Sequence, residues 1–242
     1  LTANKRNQVA MSGASSKEKN ENNAVRQLPL ALPETPPRYD RDGYIRSESN
    51  AASWRAGQAW LSSQEPALII CGPKGAGKTH LAHVLAGEER GVFLDAAAFA
   101  QKPSSASVVV VDDLPAPSPR DFLTALESCI EAGGRIILSG AGHPAEWAGG
   151  LKDLRTRLEA MPRAALLEPD EPLIRAVIAK GFRERQVRVS PTVIEFAALR
   201  LPRTFSAAHA FVVLADRAAL EEKRSITTPF VQKLLDNFSE GA

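Results

Sequence analysis

The sequence predicts an α/β fold, a five-stranded parallel sheet flanked by helices, with a small all-helical domain at its C-terminal end. Three observations carry this expectation. From residue 66 onward, short apolar runs bounded by proline and glycine alternate with segments of helical period. The first run opens into a glycine-rich turn and then a helix, the order of a phosphate-binding loop. Past Pro169 the alternation stops and the pattern is helical throughout.

Taken in order, residues 1–26 are rich in Asn, Ser, Lys and Glu and nearly free of large apolar side chains. They bury too little surface to offset the cost of ordering and read as a disordered tail, with Met11 inside it as a candidate native start. Lys5, Arg6, Lys17, Lys19 and Arg26 against Glu18 and Glu21 give residues 1–27 a net charge of +3 within an overall +2. The body of the chain is thus near neutral, too near to argue for a nucleic-acid partner; the basic arm can help the tail approach DNA or an acidic protein, or is a plain solvated tail. The character changes at Gln27-Leu28-Pro29-Leu30-Ala31-Leu32-Pro33, where three leucines lie on a proline-stiffened stretch outside any helical or strand period. Such a segment is either an anchor for an apolar pocket on another molecule or a strap on the protein's own surface; proline lowers the entropy cost of docking. Residues 34–60 hold Tyr39, Tyr44, Ile45, Trp54 and Trp60, and Ser49-Asn50 reads as the N-cap of a helix ending near Leu61.

The α/β alternation then begins. Ala67-Leu68-Ile69-Ile70-Cys71 is a buried strand, and Leu81, Val84 and Leu85 give residues 78–88 a helical period. A strand at 91–95, a short helix at 96–101 and a strand at 107–111 follow. Ser118-Pro119 supplies a cap and first-turn proline for a helix to about 132, which Gly133-Gly134 end. A strand at 135–140, a short helix at 151–158 with two arginines and a fifth strand at 164–167 complete the α/β domain, 34–168. The helical domain, 169–242, is read as helices at about 170–185, 190–200, 204–222 and 228–238, with Ser190-Pro191 and Thr228-Pro229 marking two starts.

The chemistry concentrates in Gly72-Pro73-Lys74-Gly75-Ala76-Gly77-Lys78-Thr79, a full phosphate-binding loop pattern between a strand and a helix. Its glycines let backbone N–H groups crowd a phosphate chain, and the helix N-terminus adds its positive end. Lys78 reaches the β- and γ-phosphates in this reading, and the Thr79 hydroxyl ligates Mg²⁺. Val108-Val109-Val110-Val111 ends in Asp112-Asp113; Asp112 holds the Mg²⁺ ion through water and Asp113 orients an attacking water. Cys71 and Cys129 have no metal or redox spacing, fit a reducing cytosol and read as buried small residues. His80 and His83 lack further ligands nearby, and Arg183, Arg185 and Arg188 read as a solvated face or as contacts for a partner or DNA phosphate. No run of about 18 apolar residues is present, so no membrane helix is expected, and the polar N-terminus carries no signal-peptide core.

These motifs in series resemble the AAA+ ATPases, and among them the DnaA/Hda branch. The residues that carry the resemblance are the loop at 72–79, the strand and acidic pair at 108–113, Leu151-Lys152-Asp153-Leu154-Arg155-Thr156-Arg157-Leu158, and the ending Arg224-Ser225-Ile226-Thr227-Thr228-Pro229-Phe230-Val231. The likeness spans residues 33–238. Too few residues follow the helical domain for the initiator's DNA-binding domain, and Gln27-Leu28-Pro29-Leu30 resembles the clamp-binding peptide of Hda-type regulators, so the branch's regulatory, Hda-type members are the nearer likeness. The resemblance implies a cytoplasmic, replisome-associated regulator that holds ADP or ATP with Mg²⁺. It implies docking on the DNA polymerase III sliding clamp, reaching DNA only through that clamp, and stimulation of ATP hydrolysis by DnaA. It places Arg157, or its neighbour Arg155, as an arginine finger acting in trans, Arg203 as the helical domain's sensor arginine, and Ser139 as the sensor polar group or a plain strand-end serine. Tyr44 and Ile45 line the adenine pocket or pack as core. A loader that works by its own ATP hydrolysis and a clamp-bound scaffold are the alternatives, and assembly into a homo-oligomer stays open.

Overall fold

The computed structural model describes residues 41, 43–87, 91–102, 104 and 106–239, all within one compact unit, Thr35–Ala242. The tail at 1–26 and the Gln27–Leu30 peptide lie outside the described residues. Helix α1 spans Glu48–Leu61, and the α/β alternation follows as β1 Ala67–Gly72, α2 Lys78–Gly87, β2 Val92–Asp95, α3 Ala96–Gln101, β3 Val108–Leu114, α4 Pro119–Glu131, β4 Arg135–Ala141, α5 Lys152–Ala160 and β5 Arg163–Ala165. The helical domain comprises α6 Glu171–Glu184, α7 Pro191–Ala198, α8 Phe205–Glu222 and α9 Thr228–Ser239.

The five strands form one parallel sheet in the order β2-β3-β4-β1-β5. Successive side chains along a strand point to opposite faces, which sorts the apolar residues into two cores. Ile69, Cys71, Val109, Val111, Ile136 and Leu138 pack with Phe99, Phe122, Leu126, Leu154 and Leu158 of α3, α4 and α5. Leu68, Ile70, Val108, Val110 and Ile137 pack on the other face with Trp60, Leu81 and Leu85 of α1 and α2. Both cysteines are free and buried. A third core, with Phe182 edge-on to Phe211 at 6.0 Å, holds the helical domain.

The structure moves several boundaries. The cap of α1 is Ser47, with Asn50 in the first turn, because Asn50 Oδ1 accepts from Ser47 N at 2.9 Å while its amide donates to Ile45 O. Strand β3 runs on through Asp112 and Asp113 to Leu114, which regains pairing with Gly140 after an irregularity. Strand β5 stops at Ala165; Leu167 is 64% exposed as the chain leaves the sheet for the helical domain.

One carboxylate joins the two domains. Asp170 Oδ1 accepts from Leu173 N at 2.8 Å, capping α6, while Oδ2 accepts from Ser49 N at 3.1 Å in the first turn of α1. Ser49 Oγ accepts from Asp170 N in return. Two further ties run alongside: Lys180 donates to Gly43 O at 2.9 Å, and Ile45 packs on the helical core. Burial by itself would raise the Asp170 pKa, but the hydrogen bonds from Leu173, Ser49 and Ser47 outweigh it and hold the carboxyl below its usual value. A depressed folded-state pKa contributes stability above the unfolded value of about 3.9, lost as pH falls through the folded one. Asp170→Ala should therefore lower the free energy of urea unfolding by about 1–2 kcal/mol at pH 7. The gap to wild type should narrow below about pH 4 and close as the native carboxyl protonates; an unchanged gap down to the acid transition would remove the dual cap.

Candidate functional site

The loop at 72–79 leaves the exit end of β1, a strand paired on both edges and buried on both faces, so its starting point is fixed from every side. Lys78 opens α2, and its ammonium donates to Gly72 O at 3.1 Å and Pro73 O at 2.8 Å, folding back across the loop. Burial lowers the Lys78 pKa, and the charge of Asp112 pulls it back up. Lys74 is exposed on the loop's outer side, and Ala76 is buried beneath it.

Asp112 comes from β3, two strands away from β1. Thr79 Oγ1 donates to Asp112 Oδ2 at 2.7 Å, and Asp113 N donates to Asp112 Oδ1 at 2.9 Å, so each carboxylate oxygen is engaged. Asp113 takes a left-handed backbone, φ 64°, an uncommon conformation for a side chain with a Cβ. That turn leaves its carboxylate exposed beside Asp112. The donor set fits a nucleotide with its magnesium ion: loop N–H groups and Lys78 for the phosphates, the Thr79 hydroxyl and Asp112 for the metal. A Mg²⁺ ion held there would supply charge neutralisation across the phosphates.

Ser139 is placed differently from the strand end that its sequence suggests. Strand β4 continues to Ala141, and Ser139 lies level with Ile70, fully buried on the α2 face. Its hydroxyl has no hydrogen-bond partner among the described residues.

Tyr44 and Ile45 face different surroundings. Tyr44 packs on the sheet-side core, stacked on Trp54 at 5.1 Å and edge-on to His80 of α2 at 5.3 Å. Its hydroxyl is buried without a hydrogen-bond partner among the described residues, and burial pushes its pKa up to about 12. Ile45 turns to the helical domain. The two residues bridge the domains beside α2, a role that neither could reveal in the linear pattern. His83 stacks on Phe93 at 3.7 Å, and burial lowers its pKa against the pull of Asp112.

From the helical domain, Thr204 caps α8 and Phe205 opens it, and both rest on the loop: Phe205 N donates to Gly75 O at 3.2 Å. Arg203, just before them, is exposed, with no hydrogen bond or ion pair among the described residues. The two α5 arginines separate cleanly. Arg155 pairs along its own helix with Glu159 at 2.9 Å, whereas Arg157 reaches across to Glu127 of α4 at 2.7 Å. Arg157 lines a shallow recess with Glu65, Pro66, Met161 and Pro162, residues at the entry ends of β1 and β5. The loop lies at the exit end, so Arg157 and residues 72–79 sit at opposite ends of the sheet. Arg185 pairs with Asp216 at 3.2 Å, and Arg183 and Arg188 are exposed. Sequence reasoning missed Glu127, Asp170, Thr204 and Phe205; only Asp170, followed by Glu171 and Pro172, carried a local signal, that of a helix cap.

No known protein-family model matches the chain. A protein of Haemophilus influenzae described as uncharacterized is 27% identical over 194 residues, 72% of this chain and 83% of its own length. Domain III of the Thermotoga maritima replication initiation protein DnaA superposes with a TM-score of 0.74 at 14% identity, covering 84% of this chain and 97% of that one. AMPPCP-bound DnaA from Aquifex aeolicus gives 0.67 at 18% identity over 84% of this chain and 70% of its own. The Thermotoga maritima Holliday junction branch migration motor RuvB gives 0.66 at 20% identity, with 82% and 72% covered. A five-stranded parallel sheet with its loop at the end of β1, flanked by helices and followed by a helical domain, is the fold that this chain shares with domain III of DnaA and with RuvB.

Proposed function

We propose that the chain is a nucleotide-binding AAA+ regulator of DNA replication initiation, which docks on the sliding clamp and stimulates ATP hydrolysis by DnaA through Arg157. The observation that carries this reading is the distance between Arg157 and the chain's own loop. They stand at opposite ends of β1, a strand of six residues, or about 20 Å at a rise near 3.3 Å per residue. Arg157 therefore has no route to a nucleotide held by residues 72–79, which supports a role toward one held by another subunit. Its guanidinium uses one nitrogen on Glu127 and keeps its other donors for a phosphoryl group. Charge balance of this kind contributes on the order of 10³–10⁵ in rate in finger systems.

The bound ADP or ATP with Mg²⁺ then acts as a structural ligand, seated between Lys78, Thr79, Asp112 and the helical domain, with Arg203, Tyr44 and Ile45 at its margins. Clamp docking rests on Gln27, Leu28, Pro29 and Leu30, an apolar peptide suited to a groove on a partner. It would bring the chain to DNA indirectly, in the cytoplasm at the replisome. No helix among the described residues is long and apolar enough to cross a membrane. A second reading, an ATPase or loader working by its own hydrolysis, is favoured by one observation: Thr79, Asp112 and Asp113 are assembled on this chain.

Phosphate release from DnaA loaded with ATP, with and without clamp on DNA, separates the two. Stimulation that needs this chain and the loaded clamp supports the regulator; turnover by this chain alone supports the second reading. Arg157→Ala should keep nucleotide and clamp binding and lower stimulation by about 10³-fold; full stimulation by that variant would move the finger to Arg155 or abolish it. Gln27→Ala with Leu28→Ala should weaken clamp binding by about tenfold or more while nucleotide affinity stays unchanged. Clamp affinity equal to wild type would sink the tether.

A further inference from the structure

The helical domain does more than overhang the loop; it enters the loop's backbone. Gly75 and Gly77 both take left-handed conformations, φ 77° and 89°. The space a side chain would fill at each is occupied by α8. A Cβ on Gly77 would lie 2.6 Å from Phe205 Cε2, and one on Gly75 would lie 2.8 Å from Thr204 Cβ. Between them, Phe205 N takes the Gly75 carbonyl at 3.2 Å. A trans peptide sets its C=O and the next N–H on opposite sides. With Gly75 O held by the helical domain, Ala76 N–H turns inward, onto Pro73 O at 3.3 Å. Phe205 thus fixes one peptide plane by hydrogen bond and packs its ring against the next glycine, Gly77.

We propose that Phe205 is a positioning residue for the phosphate-binding loop, setting how long a nucleotide stays bound. This rests on the reading of residues 72–79 as a nucleotide site. A flexible glycine loop pays conformational entropy each time it closes on phosphate, and a ring already seated against Gly77 removes part of that freedom beforehand. Release requires the loop to loosen, and the loop loosens only when α8 draws back. The ring is also tied to the helical core, so motion of that domain and loop order are one event. An ordered loop strengthens the complex without changing the path of encounter, so the effect falls mainly on dissociation.

The test is stopped-flow displacement of a fluorescent ADP analogue from the full chain. Phe205→Ala should speed release by about tenfold and leave association within about twofold. Phe205→Leu, which restores bulk against Gly77, should bring release back toward wild type. Val231→Ala supplies the control, because Val231 is fully buried in the helical core, which it loosens from within. It should lower thermal stability while release stays near the wild-type rate. Equal acceleration by Phe205→Ala and Val231→Ala would reduce the ring to general packing and overturn the proposal, as would release within twofold of wild type in Phe205→Ala. A wild-type chain that fails to bind the analogue would overturn the nucleotide reading itself.

Discussion

The position of β1 between β4 and β5 is the constraint on which the rest depends. A strand hydrogen-bonded on both edges and covered on both faces has no freedom at its exit, and the loop at 72–79 inherits that rigidity. Burying four consecutive apolar side chains, Leu68 to Cys71, contributes on the order of 1.5–3 kcal/mol for each large one. That energy anchors a segment whose own sequence, rich in glycine and proline, has little preference for order. Insertion of β4 beside β1 also moves β3 one strand outward, and Asp112 still meets Thr79 because β3 extends beyond its apolar run.

Much of this was legible in the sequence, for a physical reason. Strands of a parallel sheet are apolar on both faces, so they stand out as short runs, and the loop pattern marks its own place between strand and helix. Helix starts at Ser118-Pro119 and Ser190-Pro191 were readable because their signals are local: a first-turn proline at both, and at Ser190 a hydroxyl that accepts from Val193 N. What escaped depends on partners distant in the chain. Phe205 looks like any apolar residue at a helix start, and nothing local says that it meets Gly77, 128 positions earlier. Ser139 read as a strand end because polarity usually marks one, yet the ladder to β1 continues past it to Ala141. The α1 cap was misplaced by two residues because Ser47, Ser49 and Asn50 compete for the role, and Asp170, far along the chain, engages Ser49 while Asn50 bonds Ser47 and Ile45 nearby. The Gln27–Leu30 peptide lies outside the described residues, so its reading rests on sequence alone.

The joint between the domains is polar at one end and apolar at the other. Asp170, Ser49 and Lys180 hold it through directed bonds, while Phe205 and Ile45 fill it. Directed bonds resist rotation and apolar contact resists separation, so the pairing defines an angle as well as an attachment. A nucleotide seated at the loop would bias that angle, and through the sheet the placement of α5 and Arg157.

The sheet's two margins have a consequence of their own. Strand β2 is four residues long, half-exposed, and ends in Asp95, whose carboxylate turns to cap α3. Strand β5 is three residues long, and the Ala165 carbonyl at its end is taken by the Ser53 hydroxyl of α1. Neither offers a neighbour enough free ladder to add a strand. The molecule thereby avoids the commonest route to fibrous association, and contact with any other molecule is left to helix faces and side chains, where geometry selects the partner.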